Sequence, residues 1–85
     1  MAGRTAPEPI RPFTLDFTPL RKLRRYHELT QGQVARSAGL HWTTVLRIER
    51  GKGPNPSANA VVAIARALGV PMHDLFDVVD DPKGP

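Results

Sequence analysis

One stretch near the middle of the chain constrains the fold most, because it contains the signals that begin and end two short helices. Thr30 and Gln33 have the spacing of a capping box, in which each side chain accepts the other residue's backbone N–H at a helix start. Gly39 follows the apolar positions of this helix and can adopt the left-handed conformation that ends helices. A second helix is predicted over residues 42–50. Only three residues, beginning with this glycine, separate the two helices.

Two short helices joined by a glycine-containing turn of three or four residues form a helix-turn-helix unit. Such a turn holds the helices at a steep angle, so the second can project from the surface into a DNA major groove. Apolar residues at helical spacing are expected to face the core: Val34, Ala35 and Ala38 in the first helix, Val45 and Ile48 in the second. The segment therefore favours DNA binding.

Three further helices are predicted around this unit. One begins at Thr18, expected as its N-cap, has Pro19 at its first helical position and runs to about His27. Another is expected over residues 58–68, where apolar residues recur at core spacing, and a short fifth helix around residues 72–78. Since no strong strand is predicted, the expected fold class is all-α with five helices.

The chain is expected to consist of one folded domain with two loose ends. Residues 1–17, which include three of the nine prolines, are predicted to be a flexible arm, residues 18–79 the domain, and residues 80–85 a disordered tail. Residues 13–18 alternate apolar and polar side chains, which is the period of a strand. Two interpretations stay open, because a lone short strand is unstable. The segment is a disordered tail, or it pairs with another copy of the chain or packs on the core.

Charge is distributed unevenly along the sequence. Residues 20–52 contain eight basic and two acidic side chains, a net charge of +6, whereas residues 72–85 contain four aspartates and one lysine, a net charge of −3. The first of these segments is therefore suited to a polyanion. No apolar run approaches the ~20 residues of a membrane span, and the N-terminus lacks the hydrophobic stretch of a secretory signal. A cytoplasmic protein without membrane contact is expected.

The sequence contains no recognisable set of catalytic or metal-binding residues. It has no cysteine, which excludes disulfides, thiolate metal ligands and a cysteine nucleophile. His27, His41 and His73 are scattered, with no two at ligand spacing on one helix. No Ser-His-Asp arrangement and no Gly-rich phosphate loop can be placed. We therefore expect no enzyme activity, no metal, no cofactor and no small-molecule ligand.

A set of short motifs extends through most of the chain. They are Leu29-Thr30-Gln31, Val34-Ala35, Ala38-Gly39-Leu40, Val45, Arg47-Ile48-Glu49-Arg50-Gly51, Asn55-Pro56-Ser57 and Ala67-Leu68-Gly69-Val70. As a set they resemble the Cro/CI (XRE-type) family of lambda-repressor-like helix-turn-helix proteins. The resemblance implies a transcriptional regulator, a repressor or an autoregulator, that binds duplex DNA through residues 42–50.

The resemblance also implies which residues form the site. Base contacts are expected from Trp42, Thr43 and Arg47. Phosphate contacts are expected from Gln31, Arg50, Lys52 and Gly53. Arg24 and Glu49 are expected to form a salt bridge between the first and third helices. Because one small domain makes few contacts, a homodimer on a two-fold operator is expected, with half-sites about one helical turn apart.

This sequence departs from the family pattern at the start of the third helix and in the loop that follows it. His41 is the expected N-cap, where Ser or Thr is usual, and Trp42 and Leu46 stand where polar residues normally face DNA. The loop also has one additional residue, at Gly53-Pro54. Trp42 is interpreted either as a base reader or as a lid folded over the second helix. An alternative function is a protein-interaction module of the same fold that uses Trp42 and Leu46.

Overall fold

A computed structural model describes residues 13–51 and 55–80 of the 85-residue chain. Four α-helices, a single 3₁₀ turn and two short strands follow one another along it. In chain order they are β1 (Phe13–Asp16), α1 (Thr18–Tyr26), α2 (Gln31–Ala38), α3 (Trp42–Arg50), α4 (Ala58–Leu68), the 3₁₀ turn (Met72–Leu75) and β2 (Asp77–Asp80).

Helices α2, α3 and α4 have the bounds that the sequence predicts, because local side chains begin and end each of them. At the start of α2 the Gln33 backbone N–H donates to Thr30 Oγ1 at 3.0 Å, and the Thr30 N–H donates to Gln33 Oε1 at 2.8 Å. This reciprocal pair confirms the predicted capping box. Ser57 caps α4 in the same way, accepting from the Ala60 N–H at 3.1 Å. All three helices end at a glycine in the left-handed conformation.

The start of α1 differs from the prediction. Thr18 is not the N-cap but the first helical residue, and the preceding residue, Phe17, makes no side-chain cap. Instead, Asp16 Oδ1 accepts from the Thr18 hydroxyl at 2.6 Å and from the Thr18 backbone N–H at 3.0 Å. These bonds, the hydroxyl bond first, together with the charge of Lys22, hold the pKa of Asp16 below its ordinary value. The aspartate thus accepts the first N–H of α1, whereas Thr18 as an N-cap would have accepted an N–H two or three residues further along.

The two strands correct the prediction of an all-α, five-helix fold. The expected fifth helix is only a 3₁₀ turn, and residues 77–80 form a strand antiparallel to β1. In this two-stranded sheet Phe13 lies opposite Asp80 and Asp16 opposite Asp77. Residues 13–17 are therefore folded and belong to the domain, as does Asp80. The remaining parts of the predicted arm and tail, 1–12 and 81–85, lie outside the described residues.

A single apolar core joins all four helices to the 3₁₀ turn. Its buried side chains are Phe17, Leu20, Val34, Ala35, Val45, Ile48, Ala60, Val61, Ile64, Ala65 and Leu75. Phe17, which the sequence assigned to the flexible arm, is only 3% exposed, and its ring centroid lies 5.5 Å from that of Phe76. Since Phe17 directly follows β1 and Phe76 directly precedes β2, this aromatic contact attaches the sheet to the helical core.

Candidate nucleic-acid interface

The turn between α2 and α3 sets the position of α3 on the surface. Gly39 has a φ of +71°, which an L side chain rarely adopts, and the next N–H, of Leu40, donates to the Ala35 carbonyl at 2.8 Å. Leu40 is half-buried and packs against the core. Helix α3 begins two residues later, so the connection between α2 and α3 has the three-residue length of a helix-turn-helix unit.

One side of α3 is buried and the opposite side reaches solvent. Val45, Ile48 and Glu49 are buried, whereas Arg47 and Arg50 are exposed. Thr43 and Leu46 are half-buried. The three residues expected to contact bases and the arginine expected to contact phosphate thus all retain accessible surface. Lys52 and Gly53, also expected at phosphates, lie outside the described residues.

Trp42 is the large exposed residue at the start of α3. The residue is 49% exposed, and it lines a shallow groove together with Thr30 and Gln33 at the start of α2. Trp42 is therefore exposed enough to reach a partner and also lies against α2, and its role as a base reader stays a prediction.

Arg24 and Glu49 lie in a bidentate ion pair that connects α1 to α3. Arg24 Nε donates to Glu49 Oε2 at 2.6 Å, and Arg24 Nη2 donates to Glu49 Oε1 at 2.9 Å. The Glu49 side chain is 1% exposed and that of Arg24 12%. Arg24 Nη1 also donates to the Leu29 carbonyl at 2.8 Å, which ties the α1–α2 connection to the same guanidinium. The family resemblance predicts this pair, but no pattern in the sequence predicts its bond to Leu29.

The buried carboxylate of Glu49 stays ionised because its neighbours outweigh its burial. Burial alone would raise the pKa of Glu49, but the hydrogen bonds from Arg24 and Gln31 and the charges of Arg24 and Arg21 leave that pKa below its ordinary value. The bond to Glu49 in turn raises the pKa of Arg24. Within residues 13–51 and 55–80, every buried side-chain nitrogen and oxygen has a hydrogen-bond partner. The orientation of α3 therefore depends on a fully bonded ionic group.

Gln31 is held beside this ion pair, at the first position of α2. Its Nε2 donates to Glu49 Oε1 at 3.0 Å, a contact that the sequence analysis did not predict. A primary amide has a second N–H and a carbonyl oxygen in addition to the hydrogen used here. The residue expected to contact phosphate is thus oriented by the same carboxylate that anchors α3.

The sheet lies next to the exposed side of α3. A groove there is lined by Thr14 of β1, by Thr44 and Arg47 of α3, and by Asn55 in the segment before α4. Among the described residues, no group of three histidines or carboxylates could hold a metal ion, and no helix is long and apolar enough to cross a membrane.

Comparisons with known proteins agree with this geometry. A family model described as a helix-turn-helix domain matches residues 19–77. The chain is 37% identical over 62 residues to an uncharacterised HTH-type transcriptional regulator from Methanocaldococcus jannaschii, covering 73% of this chain and 92% of the relative. It is 34% identical over 64 residues to another such regulator, from Archaeoglobus fulgidus, covering 75% of this chain and 89% of the relative.

Two solved structures are also similar. The restriction-modification controller protein C.AhdI from Aeromonas hydrophila matches with a TM-score of 0.63 and 34% identity, covering 68% of this chain and 86% of that protein. The transcriptional regulator VanUg matches with a TM-score of 0.72 over 91% of this chain and 100% of its own length, at 16% identity. The second likeness concerns the fold alone.

Proposed function

The chain belongs to the Cro/CI-type helix-turn-helix family of DNA-binding transcription regulators, which is not an enzyme family, and on that premise we propose that it binds a specific duplex by inserting α3 into the major groove. One observation carries the proposal. The core side of α3 is buried, while Trp42, Arg47 and Arg50 on the same helix are exposed. A helix of this shape and charge fits the major groove of B-DNA.

Each of the three expected base-contacting side chains has a distinct chemistry. Arg47 can donate two hydrogen bonds to O6 and N7 of guanine, which is the commonest specific contact in the major groove. Trp42 offers an apolar surface for a thymine methyl group or for a sugar at the groove wall. Thr43 offers a hydroxyl between them in sequence.

Phosphate contacts are proposed at the two ends of the same unit. Gln31 lies at the N-terminus of α2, where the helix dipole and free backbone N–H groups attract anions. Arg50 lies at the last position of α3, and Lys52 and Gly53 follow it in the sequence. Contacts at both ends would orient α3 along the groove without reading the bases themselves.

We further propose that two copies act together on a two-fold operator, with half-sites about one helical turn apart, as a repressor or autoregulator. A single α3 reads only a few base pairs, and pairing two copies multiplies the number of bases read. A cytoplasmic location, as expected from the sequence, is part of this proposal.

Selecting a preferred duplex from a random library, followed by affinity measurements, tests the proposal. We expect Arg47→Ala to weaken binding to the selected duplex by about 1–3 kcal/mol and to relax the preference at one base pair. Arg66→Ala, which removes an exposed arginine from α4, is the matched control and should bind like the wild type. Affinity should fall steeply with added salt, because bound phosphates release counterions.

Three results would contradict parts of this proposal. If no duplex is enriched, DNA reading is refuted, and the alternative of a protein-interaction surface around Trp42 and Leu46 is favoured. If Arg47→Ala and Arg66→Ala bind equally well, α3 is not the reading helix. If the mass of the saturated complex corresponds to one protomer per duplex, the two-copy arrangement is refuted.

A further inference from the structure

The N-cap of α3 is a histidine whose ring makes two contacts through a single nitrogen. His41 has extended backbone angles, and its Nδ1 accepts a hydrogen bond from the Thr43 backbone N–H at 3.2 Å. The same Nδ1 lies 2.7 Å from Thr43 Oγ1. Both partners therefore belong to one of the residues expected to contact bases.

The backbone contact determines which atom donates in the side-chain contact. A backbone N–H can only donate, so Nδ1 must carry a lone pair and no hydrogen. With Nδ1 as the acceptor, the Thr43 hydroxyl is the donor in the 2.7 Å contact, and its hydrogen and that of the backbone N–H share the single lone pair of Nδ1. The neutral ring then carries its proton on Nε2. The hydroxyl hydrogen of Thr43 is committed to His41, and Oγ1 has only lone pairs available for other partners.

We propose that His41 determines base specificity by making the Thr43 hydroxyl an acceptor only. This inference rests on the proposed function, since it assumes that Thr43 faces base edges. The hydrogen-bond donors of the major groove are the N6 amino group of adenine and the N4 amino group of cytosine. Guanine and thymine present acceptors there, and two acceptors repel. Thr43 therefore favours adenine or cytosine over guanine or thymine on the strand that it faces.

An unconstrained hydroxyl would not discriminate in this way. Serine and threonine hydroxyls normally rotate and contact donors or acceptors alike. His41 removes that freedom because its ring lies at the cap position. The Thr43 backbone N–H holds the ring there, and the ring in turn fixes the Thr43 hydroxyl. Ser or Thr, the usual caps at this position, would have a hydroxyl of their own that can donate as well as accept.

The first arm of the test needs no DNA. We expect the ¹⁵N chemical shifts of the His41 ring in the free protein, measured at pH 8, to show an unprotonated Nδ1 and a protonated Nε2. The opposite tautomer would overturn the inference, because Nδ1–H could not accept from Thr43. This measurement stands whether or not a preferred duplex is found.

The second arm compares base preferences across three variants. Thr43→Val identifies the base pair that Thr43 reads, since only that preference should disappear. At that position we expect wild-type protein to favour adenine or cytosine by about fivefold, the contribution of one ordinary hydrogen bond. His41→Gly should reduce this bias to near unity while preserving the preference at the base pair read by Arg47. His41→Asn, which keeps a side-chain acceptor at the cap, should retain the bias.

Glycine is the chosen replacement because it is itself a tolerated N-cap and should leave α3 folded, which circular dichroism checks. A preferred duplex without the adenine-or-cytosine bias, or a bias that persists in His41→Gly, would overturn this inference and leave the proposed function intact. Failure to enrich any duplex would overturn the proposed function and the base preference together.

Discussion

Helices α2 and α3 are joined by three residues, and each begins at a side chain that caps it, whereas β1 and β2 pair residues from opposite ends of the described chain. The caps and the turn of the helical unit are thus formed by hydrogen bonds between residues two to five positions apart. The sheet has no such local support, because four helices separate its two strands along the chain. Weakening the packing of the core should therefore disrupt the sheet before it disrupts the helical unit.

The two regions also differ in charge. The segment that includes α1, α2 and α3 is strongly basic, whereas the sheet places Asp16 directly opposite Asp77. Like charges directly opposite one another destabilise a strand pair. The sheet is held instead by the contact of Phe17 with Phe76 at one end, while Phe13, Val78 and Val79 remain exposed. The aspartates of the sheet supply negative charge, whereas DNA binding needs positive charge.

Removing the aromatic anchor of the sheet should have the largest effect. Phe17→Ala deletes a buried ring that packs on Phe76, and we expect the free energy of unfolding to fall by about 3–5 kcal/mol. Hydrogen exchange should show the β1 amides losing protection. Urea denaturation measures the first effect, with Phe13→Ala as control, because Phe13 is 46% exposed. Equal losses in the two variants would mean that the sheet is not attached through Phe17.

Breaking the Arg24–Glu49 ion pair should have the next largest effect, since this long-range contact connects α1 to the helical unit. Arg24→Ala leaves the Glu49 carboxylate buried without its main partner, and we expect a loss of about 3 kcal/mol in the free energy of unfolding. Arg25→Ala, which removes an exposed arginine from the same helix, should change it by no more than about 0.5 kcal/mol. An Arg24→Ala protein that melts at the wild-type temperature would contradict this role.

Lowering the pH should also weaken the Arg24–Glu49 ion pair. Because the pKa of Glu49 is lower in the folded state than its ordinary value, its stabilising contribution is fully present above about pH 4.5 and is lost as pH falls through the lowered value. The free energy of unfolding should therefore decline more steeply below pH 4.5 in the wild type than in Glu49→Gln. Parallel acid profiles for the two proteins would show that another carboxylate dominates.

The smallest effect is expected from relieving the charge repulsion in the sheet. Asp77→Asn removes one of the two facing aspartates, and we expect the melting temperature to rise by about one or two degrees at low salt. High salt should suppress the difference because it screens exposed charges. Asp74→Asn, which lies in the 3₁₀ turn and not opposite β1, is the control. A similar rise in both variants would point to net charge instead of the facing pair.

By itself the sequence determined the helical unit, for a reason visible in single residues. Thr30, Gln33 and Ser57 cap helices through bonds to residues three positions away, and Gly39 and Gly51 end helices through their own backbone freedom. Such interactions depend on spacing alone, so the predicted bounds of α2, α3 and α4 match the structure. The Arg24–Glu49 pair came from the family resemblance, since nothing local connects residues 25 positions apart.

Only the tertiary structure decided the partner of residues 13–16. Their alternating pattern indicated a strand, but pairing is a property of two segments. Residues 77–80 have two adjacent valines between aspartates, which do not alternate apolar and polar, so the sequence does not predict them as the second strand. The burial of Phe17 against Phe76 agrees with that pairing, because the end of β1 lies beside the start of β2. The shared contact of His41 with the Thr43 hydroxyl was likewise decided in three dimensions, since a cap residue is recognisable in sequence but the direction of its ring is not.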